Sequence, residues 1–393
     1  MREPSVSYKP LVSVIVPAYN AQNSVGETLR SVLGQTYGNI EVVVVDDGSQ
    51  DRTAEIVETI AQQDHRVKLL RQTNQGVAAA RNLAIQESHG EYIAPIDADD
   101  IWYPQKLEKQ VECLQKSDPT VGLVYAWSVY IDQHGRLTGG CVDWNIEGWV
   151  YLSLLYRNFI GHASAPLIRR GCLQRVGGYC SQLREHDGEG CEDRDLYLRI
   201  AEHYRFRVVP EFLIGYRQVT PSMSCDDSSM VTSHRLIMAD VQRRHPEIPP
   251  RIFRWSKSRF YWYLGQKCYR CGHYWHSLSW LFRAAWFDPV VFLHGQLYRL
   301  VAKNVATLVV TSVGDRLLPK RWRFGSRSGA HQVVLGMADV RQHRSRRSGI
   351  WHKANERRLA DLAKLGSTLI ETSAPMGDSF GTVPRAARRG EEG

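Results

Sequence analysis

The 393-residue chain has no run of about 18 apolar residues, so no segment is expected to cross a bilayer as a helix. Its opening, MREPSVSYKP, has no apolar core, and no secretory signal peptide is expected. Eight cysteines are scattered without a disulfide framework, which points to reduced thiols in a cytoplasmic setting. One CxxC occurs, in CYRCGHYWH (Cys268, Cys271, His273, His276), with no distant second pair. It sits inside a helical pattern and reads as helix rather than as a zinc site. Excess positive charge is missing from most of the chain. Residues 320–393 hold fifteen Lys/Arg and seven Asp/Glu, which is +8 of the formal +9. The basic signal belongs to a tail, and without an aromatic-interleaved basic motif no nucleic-acid partner is expected.

What is present is a regular alternation over the first hundred residues. LVSVIVPAYN, IEVVVVDDGS, RVKLLRQ and EYIAPID read as strands, and SVGETLRSVLGQT, DRTAEIVETIAQQ and GVAAARNLAIQES as the helices between them. Continuous apolar strands separated by amphipathic helices predict a parallel sheet covered on both faces, a doubly wound α/β domain. Beyond residue 105 come a helix (PQKLEKQVECLQK), a strand (TVGLVYAWSVYID), a strand leading to a short helix (SAPLIRRGCLQRVGGY), a helix (CEDRDLYLRIAEHY) and the extended segments FRVVPE and FLIGYRQ. These are expected to finish the sheet with antiparallel members. RHPEIPP reads as a linker, residues 251–315 as helical and rich in Trp and Tyr, and residues from Lys320 onward as largely disordered.

The polar clusters fall at strand ends, where ligands of such sheets gather. PAYN, DDGS, RQTNQG and DADD follow the four strands in turn. An Asp-rich turn can simply cap the helix near Pro104, with Asp100 in that role. It can also hold a divalent cation, since Asp97 and Asp99 are hard oxygen donors suited to Mg²⁺ or Mn²⁺. In DDGSQDRT, Gly48 and Ser49 fit a turn and Asp51 a helix cap, yet the strand also delivers Asp46 and Asp47 to its buried end. Gly76 opens a helix, where backbone N–H groups favour phosphate, and Arg81 is a candidate diphosphate partner. Glu192 and Asp193 suit the positive end of a helix dipole or, with the upstream clusters, an acid–base role.

The ordered set VSVIVPAYNAQNSVGETLRSVLGQTYGNIEVVVVDDGSQDRT, NQGVAAARN, YIAPIDADD and CEDRDLYLRI resembles the motifs of family 2 glycosyltransferases, over roughly residues 10–220. The resemblance implies the GT-A fold, a nucleotide-binding α/β half joined to an acceptor-binding half. It implies that Pro17 and Tyr19 line a nucleobase pocket, with Asp46 reading the base and Asp47 nearby. Arg81 would approach the base or diphosphate, Asp97 the ribose, and Asp99 the metal of a DXD motif. Asp193, preceded by Glu192, matches the family's catalytic base, while Asp195 points elsewhere on its helix. In YRQVTPSMS (Tyr216, Arg217, Ser222, Ser224), Arg217 would reach the diphosphate.

The implied activity is inverting transfer of a sugar from a nucleotide-diphospho-sugar, a uridine nucleotide being favoured. The acceptor would be a carbohydrate or a lipid-linked hydroxyl in polysaccharide or glycolipid assembly. A processive polymerase of the family would add a QxxRW motif; KRWRF lacks the Gln, so a non-processive enzyme is expected. CSQLREHDGEGCED is longer and more charged than the acidic turn expected before the base. The domains are drawn at 1–245 (transferase), 251–318 (helical appendage) and 320–393 (basic tail). Trp262, Tyr269, Trp275, Leu278 and Leu281 are expected to pack together or on the transferase domain. Residues 290–350 are read as a possible contact with an anionic membrane, which would make the protein peripheral on the inner face of the plasma membrane. Two other readings are a sugar nucleotidyltransferase, which would need a Gly-rich signature where PAYNAQN stands, and an inactive nucleotide-sugar-binding scaffold, which intact Asp99 and Asp193 oppose.

Overall fold

The computed structural model describes residues 8–218, 227–317 and 350–373. Ser222, Ser224 and the KRWRF segment lie outside the described residues. The alternation expected from the sequence is present as β1 (Val12–Ala18), α1 (Val25–Leu33), β2 (Ile40–Asp46), α2 (Thr53–Gln63), β3 (Val67–Arg71), α3 (Val77–Gln86) and β4 (Tyr92–Pro95). Strands β1 and β2 are buried along their length because helices cover both faces of the sheet. Val25, Leu29 and Val32 form the buried stripe of α1, as their helical spacing requires.

The second half supplies β5 (Ile101–Trp102), α4 (Lys106–Gln115), β6 (Val121–Ile131), β7 (Leu137–Val142), α5 (Tyr151–Tyr156), β8 (Pro166–Arg169), α6 (Arg170–Val176), α7 (Gln182–Glu185), α8 (Glu192–Ala201) and β9 (Arg205–Arg217). The strand order is β3-β2-β1-β4-β8-β6-β9-β5, with β7 on β6. β1, β2, β3 and β4 are mutually parallel, whereas β8 runs antiparallel to both β4 and β6. The sheet is therefore mixed, and the chain switches direction across it at β1, between β2 and β4.

FRVVPE and FLIGYRQ form one strand, not two segments. β9 pairs in parallel with β6, and the register shifts near Val209 and Phe212, so Pro210 falls in an irregularity where its missing N–H costs no ladder bond. The hairpin strand β7 escaped the sequence reading because its Thr-Gly-Gly run carries no apolar period.

Beyond the sheet come α9 (Asp227–Arg244), α10 (Pro250–Arg270), α11 (Tyr274–Phe287), a 3-10 turn (Pro289–Leu293), α12 (Gly295–Leu317) and α13 (Ile350–Ser373). The RHPEIPP segment is a short turn between α9 and α10, holding a buried Ile248, and Pro250 starts α10, where its missing N–H is harmless. Within the stretch read as a low-order tail, α13 is helical, and it packs with buried Asn355, Leu359 and Leu362. Tyr156 of α5 donates to Asn355 (2.6 Å) and Arg259 of α10 donates to Tyr156 (2.7 Å), so the three helices share one polar knot. Trp262 and Leu281 are buried as expected, but Trp275 is exposed, because it lies on the face of α11 opposite Leu281. Cys113, Cys141, Cys172, Cys180, Cys191 and Cys268 are free thiols, whereas Cys271 is disulfide-bonded, against the expectation that all are reduced.

β5 is only two residues long and is held against β9 at Gly215 and Ile214. A Cβ at Gly215 would lie 2.7 Å from Ile101 Cγ1 and 3.1 Å from Ile131 Cδ1. Gly215→Ala is expected to lower stability by about 1–3 kcal/mol through overpacking. Urea unfolding measures this; an unchanged midpoint would show that β5 yields without cost.

Candidate active site

The carboxyl ends of β1 and β2 are joined by a lattice of loop hydrogen bonds. Asn20, in the left-handed region at φ 49°, donates its N–H to Ser49 Oγ (2.9 Å) and accepts from Gln50 N–H (2.9 Å). Ala21 N–H donates to Thr53 Oγ1 (2.7 Å) and Gln22 N–H to Asp51 (3.1 Å). The PAYN and DDGS loops are thus one rigid rim. Pro17 lies within buried β1, Tyr19 stands half-exposed on the rim, and buried Asp46 accepts a long bond from Ser49 N–H (3.3 Å). Tyr19 and Asp46 are placed where a base could stack and be read; Pro17 shapes the strand beneath them.

Asp47 is differently employed. Its carboxylate accepts from Gln72 Nε2 (2.7 Å), Gln75 N–H (2.8 Å) and Gly76 N–H (2.9 Å). It therefore fixes the loop that opens α3 and takes up the Gly76 N–H that the sequence reading offered to phosphate. Gly76 itself is at φ 89°, and a Cβ there would meet Arg184 Nη1 at 2.8 Å, so the position needs glycine on two counts.

The DADD turn divides its labour among three carboxylates. Asp100 is wholly buried and accepts from Ser164 Oγ (2.5 Å) and Arg217 N–H (2.8 Å). It does not cap α4, whose N-cap is Gln105; it bolts the turn to β9. Burial pushes its carboxyl well above the ordinary range. Arg217 completes the bolt: its guanidinium donates to Asp99 O (2.6 Å), Asp132 O (2.9 Å) and Glu27 (2.7 Å). Buried and bonded to these acceptors, Arg217 positions the turn.

Asp97 and Asp99 are partly exposed beside this bolt. The Asp97 N–H donates to Ser164 Oγ (3.0 Å), and its carboxylate forms an ion pair with Arg81 (2.5 Å). The other arm of Arg81 reaches Glu192 at the start of α8 (2.7 Å), and the guanidinium lies 5.0 Å from the centroid of the Tyr179 ring. Arg81 is buried, so its charge is offset by these two carboxylates. It is a clamp between the end of β4 and the acidic helix, and its partners within the chain are these two carboxylates.

Asp193 follows Glu192 in the first turn of α8. Burial, then the neighbouring Glu192 charge, push its carboxyl up to about 7. It accepts from Arg194 N–H (2.6 Å), and Asn158 Nδ2 stands 3.5 Å away. Asp195 turns away to Arg199 (2.6 Å), as its place on the helix requires. Asp97, Glu192, Asp193 and Arg81 share one electrostatic environment, and Asp99 adjoins it through Asp97. Of these, Glu192 also lines a shallow cleft with Gly76, Ala78, Cys180, Arg184 and Glu189.

The sequence reading missed Asn158, His162, Ser164 and Tyr179. Ser164 bridges Asp97 and Asp100, and His162 is buried, stacked on Tyr216 at 4.4 Å and 3.7 Å from Asp100. The available signal was a set of polar residues inside the apolar stretch NFIGHASAPLI.

Asp99 bears on the metal. Burial and the Asp97 charge push its carboxyl up to about 7, and it has no side-chain partner among the described residues. A divalent cation would relieve that repulsion, and a site of one or two carboxylates completed by substrate phosphates suits Mg²⁺ or Mn²⁺. Asp99 and Asp97 fit such an ion; Asp97 already shares Arg81.

The model of "Glycosyl transferase family 2" matches residues 13–170, from β1 to the start of α6. An uncharacterized glycosyltransferase of Haemophilus influenzae is 47% identical over 103 residues, covering 26% of this chain and 41% of that protein. The putative teichuronic acid biosynthesis glycosyltransferase TuaG of Bacillus subtilis is 41% identical over 111 residues, 28% of this chain and 44% of its own length. The chain spans about two fifths of the first curated relatives it matches: 41%, 39% and 39%. Among solved structures, S. aureus TarS 1-349 in complex with UDP-GlcNAc is 16% identical, covering 77% of this chain and 92% of that one, at a TM-score of 0.49. The mannosyltransferase PcManGT from Pyrobaculum calidifontis, in complex with GDP-Man and Mn²⁺, is 21% identical, covering 79% and 89%, also at 0.49.

If Arg81 is a buried clamp, Arg81→Met leaves two carboxylates facing each other and should destabilise the fold by about 3–5 kcal/mol. A guanidinium held free for a ligand would cost far less on removal. Chemical denaturation distinguishes them: a loss under about 1 kcal/mol contradicts the clamp.

Proposed function

We propose that the protein is an inverting, metal-dependent glycosyltransferase that moves a sugar from a nucleotide-diphospho-sugar to an acceptor hydroxyl. The observation that carries the reading is Asp193: a carboxylate pushed up to about 7, beside Glu192 and tied through Arg81 to the DADD turn. A base poised near neutrality is what proton removal from an alcohol needs.

In this reading Tyr19 and Asp46 receive the base, the Asp47-fixed loop supports it, and Asp97 faces the ribose. Asp99, with Asp97, would hold Mn²⁺ or Mg²⁺, which supplies Lewis-acid stabilisation of the departing diphosphate. Asp193 takes the proton from the acceptor hydroxyl as its oxygen bonds to the anomeric carbon. The bond from that carbon to the diphosphate oxygen breaks in the same displacement, and the nucleoside diphosphate leaves with the electron pair. A single displacement inverts the anomeric centre and needs no covalent intermediate.

A uridine nucleotide is the favoured donor, through Asp46. The similarity to TuaG, a putative teichuronic acid biosynthesis glycosyltransferase, supports a place in polysaccharide assembly, with a carbohydrate or lipid-linked hydroxyl as the proposed acceptor. No helix among the described residues is long and apolar enough to cross a membrane.

Three outcomes are expected. Asp193→Asn retains donor binding and loses transfer by at least about 100-fold; native-rate transfer would remove Asp193 as base. Since only ionised Asp193 accepts a proton, native kcat/KM should rise with pH through a midpoint near 7. A profile flat from pH 5 to 9, an interval of about two units either side of neutrality, contradicts the assignment. In a thermal-shift screen of UDP-, GDP- and dTDP-sugars, the rise produced by donor with Mn²⁺ should vanish in Asp99→Ala; an equal rise there would clear Asp99 of metal binding.

A further inference from the structure

The helical appendage has its own small core, made of Trp262, Leu281, Ala284, Ala285, Val291 and Leu297. The opposite face of α11 carries Trp275, Phe282 and Trp286, which are 72%, 69% and 76% exposed. Steps of seven and four residues put the three on one stripe of the helix. Phe282 and Trp286 have ring centroids 6.3 Å apart. Exposed Phe292 and Leu293 follow in the 3-10 turn, and Tyr298, whose hydroxyl donates to Phe292 O (3.0 Å), begins a second stripe on α12. That stripe repeats the same spacing, Tyr298, Val305 and Val309, each at least 46% exposed. A folded chain does not leave so many large apolar side chains in water without a use for them.

Charge gives the occupant. Residues 1–250 hold 25 Lys/Arg and 32 Asp/Glu, a net −7. Residues 251–310 hold nine Lys/Arg, of which Arg259 and Lys267 are buried, and a single acidic residue, Asp288, a formal net +8. Asp288 is buried and receives Arg358 (3.1 Å), so it offsets nothing at the surface. Arg283 on α11 and Arg299 and Lys303 on α12 are exposed and have no ion pair among the described residues. The near-neutral sum of the chain outside its tail conceals this segregation. A second copy of the same face would set cation against cation. A surface that is apolar beneath and anionic above satisfies both features, with Trp, Tyr and Phe at headgroup depth and Arg and Lys on the anionic groups.

We infer that the outward faces of α11 and α12, with the turn between them, are a docking surface for an anionic lipid bilayer. The helices lie along the surface and do not cross it. This deepens the reading of a membrane-facing transferase by naming the face, moving it from residues 290–350 to residues 275–310. It does not depend on the transfer chemistry, so a failure of one leaves the other standing.

The test is flotation of the full-length protein with phosphatidylcholine vesicles, with and without phosphatidylglycerol, at low and high salt. Two variants accompany it: Trp275→Ser/Phe282→Ser/Trp286→Ser, and Arg299→Gln/Lys303→Gln. All five positions are exposed, and circular dichroism with donor thermal shift verifies the fold of each variant. Native protein should float with the anionic vesicles, and less as salt rises. The aromatic variant should partition more than about tenfold more weakly. The cation variant should partition about thirty-fold more weakly onto the anionic vesicles, about a factor of five for each cation removed. Native protein that does not float, or a folded aromatic variant that floats as well as native, overturns the inference. Sedimentation showing a native dimer that the aromatic variant dissolves, with no vesicle binding, assigns the face to a second copy and also overturns it.

Discussion

The bridge from Asp97 through Arg81 to Glu192 is the constraint on which the rest of the site depends. Asp97 ends the parallel half of the sheet, and Glu192 opens the helix that bears Asp193. Arg81 comes from the N-terminal half of α3, whose start is set by Asp47. A buried guanidinium with only one carboxylate would leave a group uncompensated, and two carboxylates without it would repel. The three side chains therefore fix one another, and with them the distance between the edge that would receive a donor and the carboxylate that would activate an acceptor.

The acidic clusters at the strand ends thus have a double answer. Asp47 and Asp100, together with Arg217, are spent on building loops: each is saturated by hydrogen bonds within the chain. Asp99 and Asp193 are left with raised affinity for protons, and both are pushed up to about 7 by burial and by a neighbouring carboxylate. Asp100 shares the raised proton affinity but is wholly buried and bonded away, so in the proposed reaction Asp99 and Asp193 are the groups that act and the buried, bonded ones hold them in place.

The parallel half of the fold was legible because its signal is local. Continuous apolar strands and period-3.6 helices follow from burial on two faces, and β1 to β4 lie where that pattern puts them. The Gly-rich β7 has no such pattern, and α13 lies in a stretch whose composition resembles a solvated tail. At the site, residue type and strand-end position were readable, but partners were not. Arg81 and Arg217 look like anion-binding groups in sequence, and only the fold shows that carboxylates and carbonyls of the same chain already occupy them. Ser164 and Asn158 showed only as polar residues in an apolar stretch, for the complementary reason: nothing nearby in sequence says that Ser164 returns to the DADD turn and Asn158 to Asp193.

The most direct measurement is a double-mutant cycle on stability with Asp97→Ala, Glu192→Ala and the pair. The two residues are far apart in sequence and share only Arg81, so a clamp predicts a coupling of about 1–3 kcal/mol between them. Losses that add to within about 0.5 kcal/mol would mean that the donor edge and the acidic helix are held independently, contrary to the single site described above.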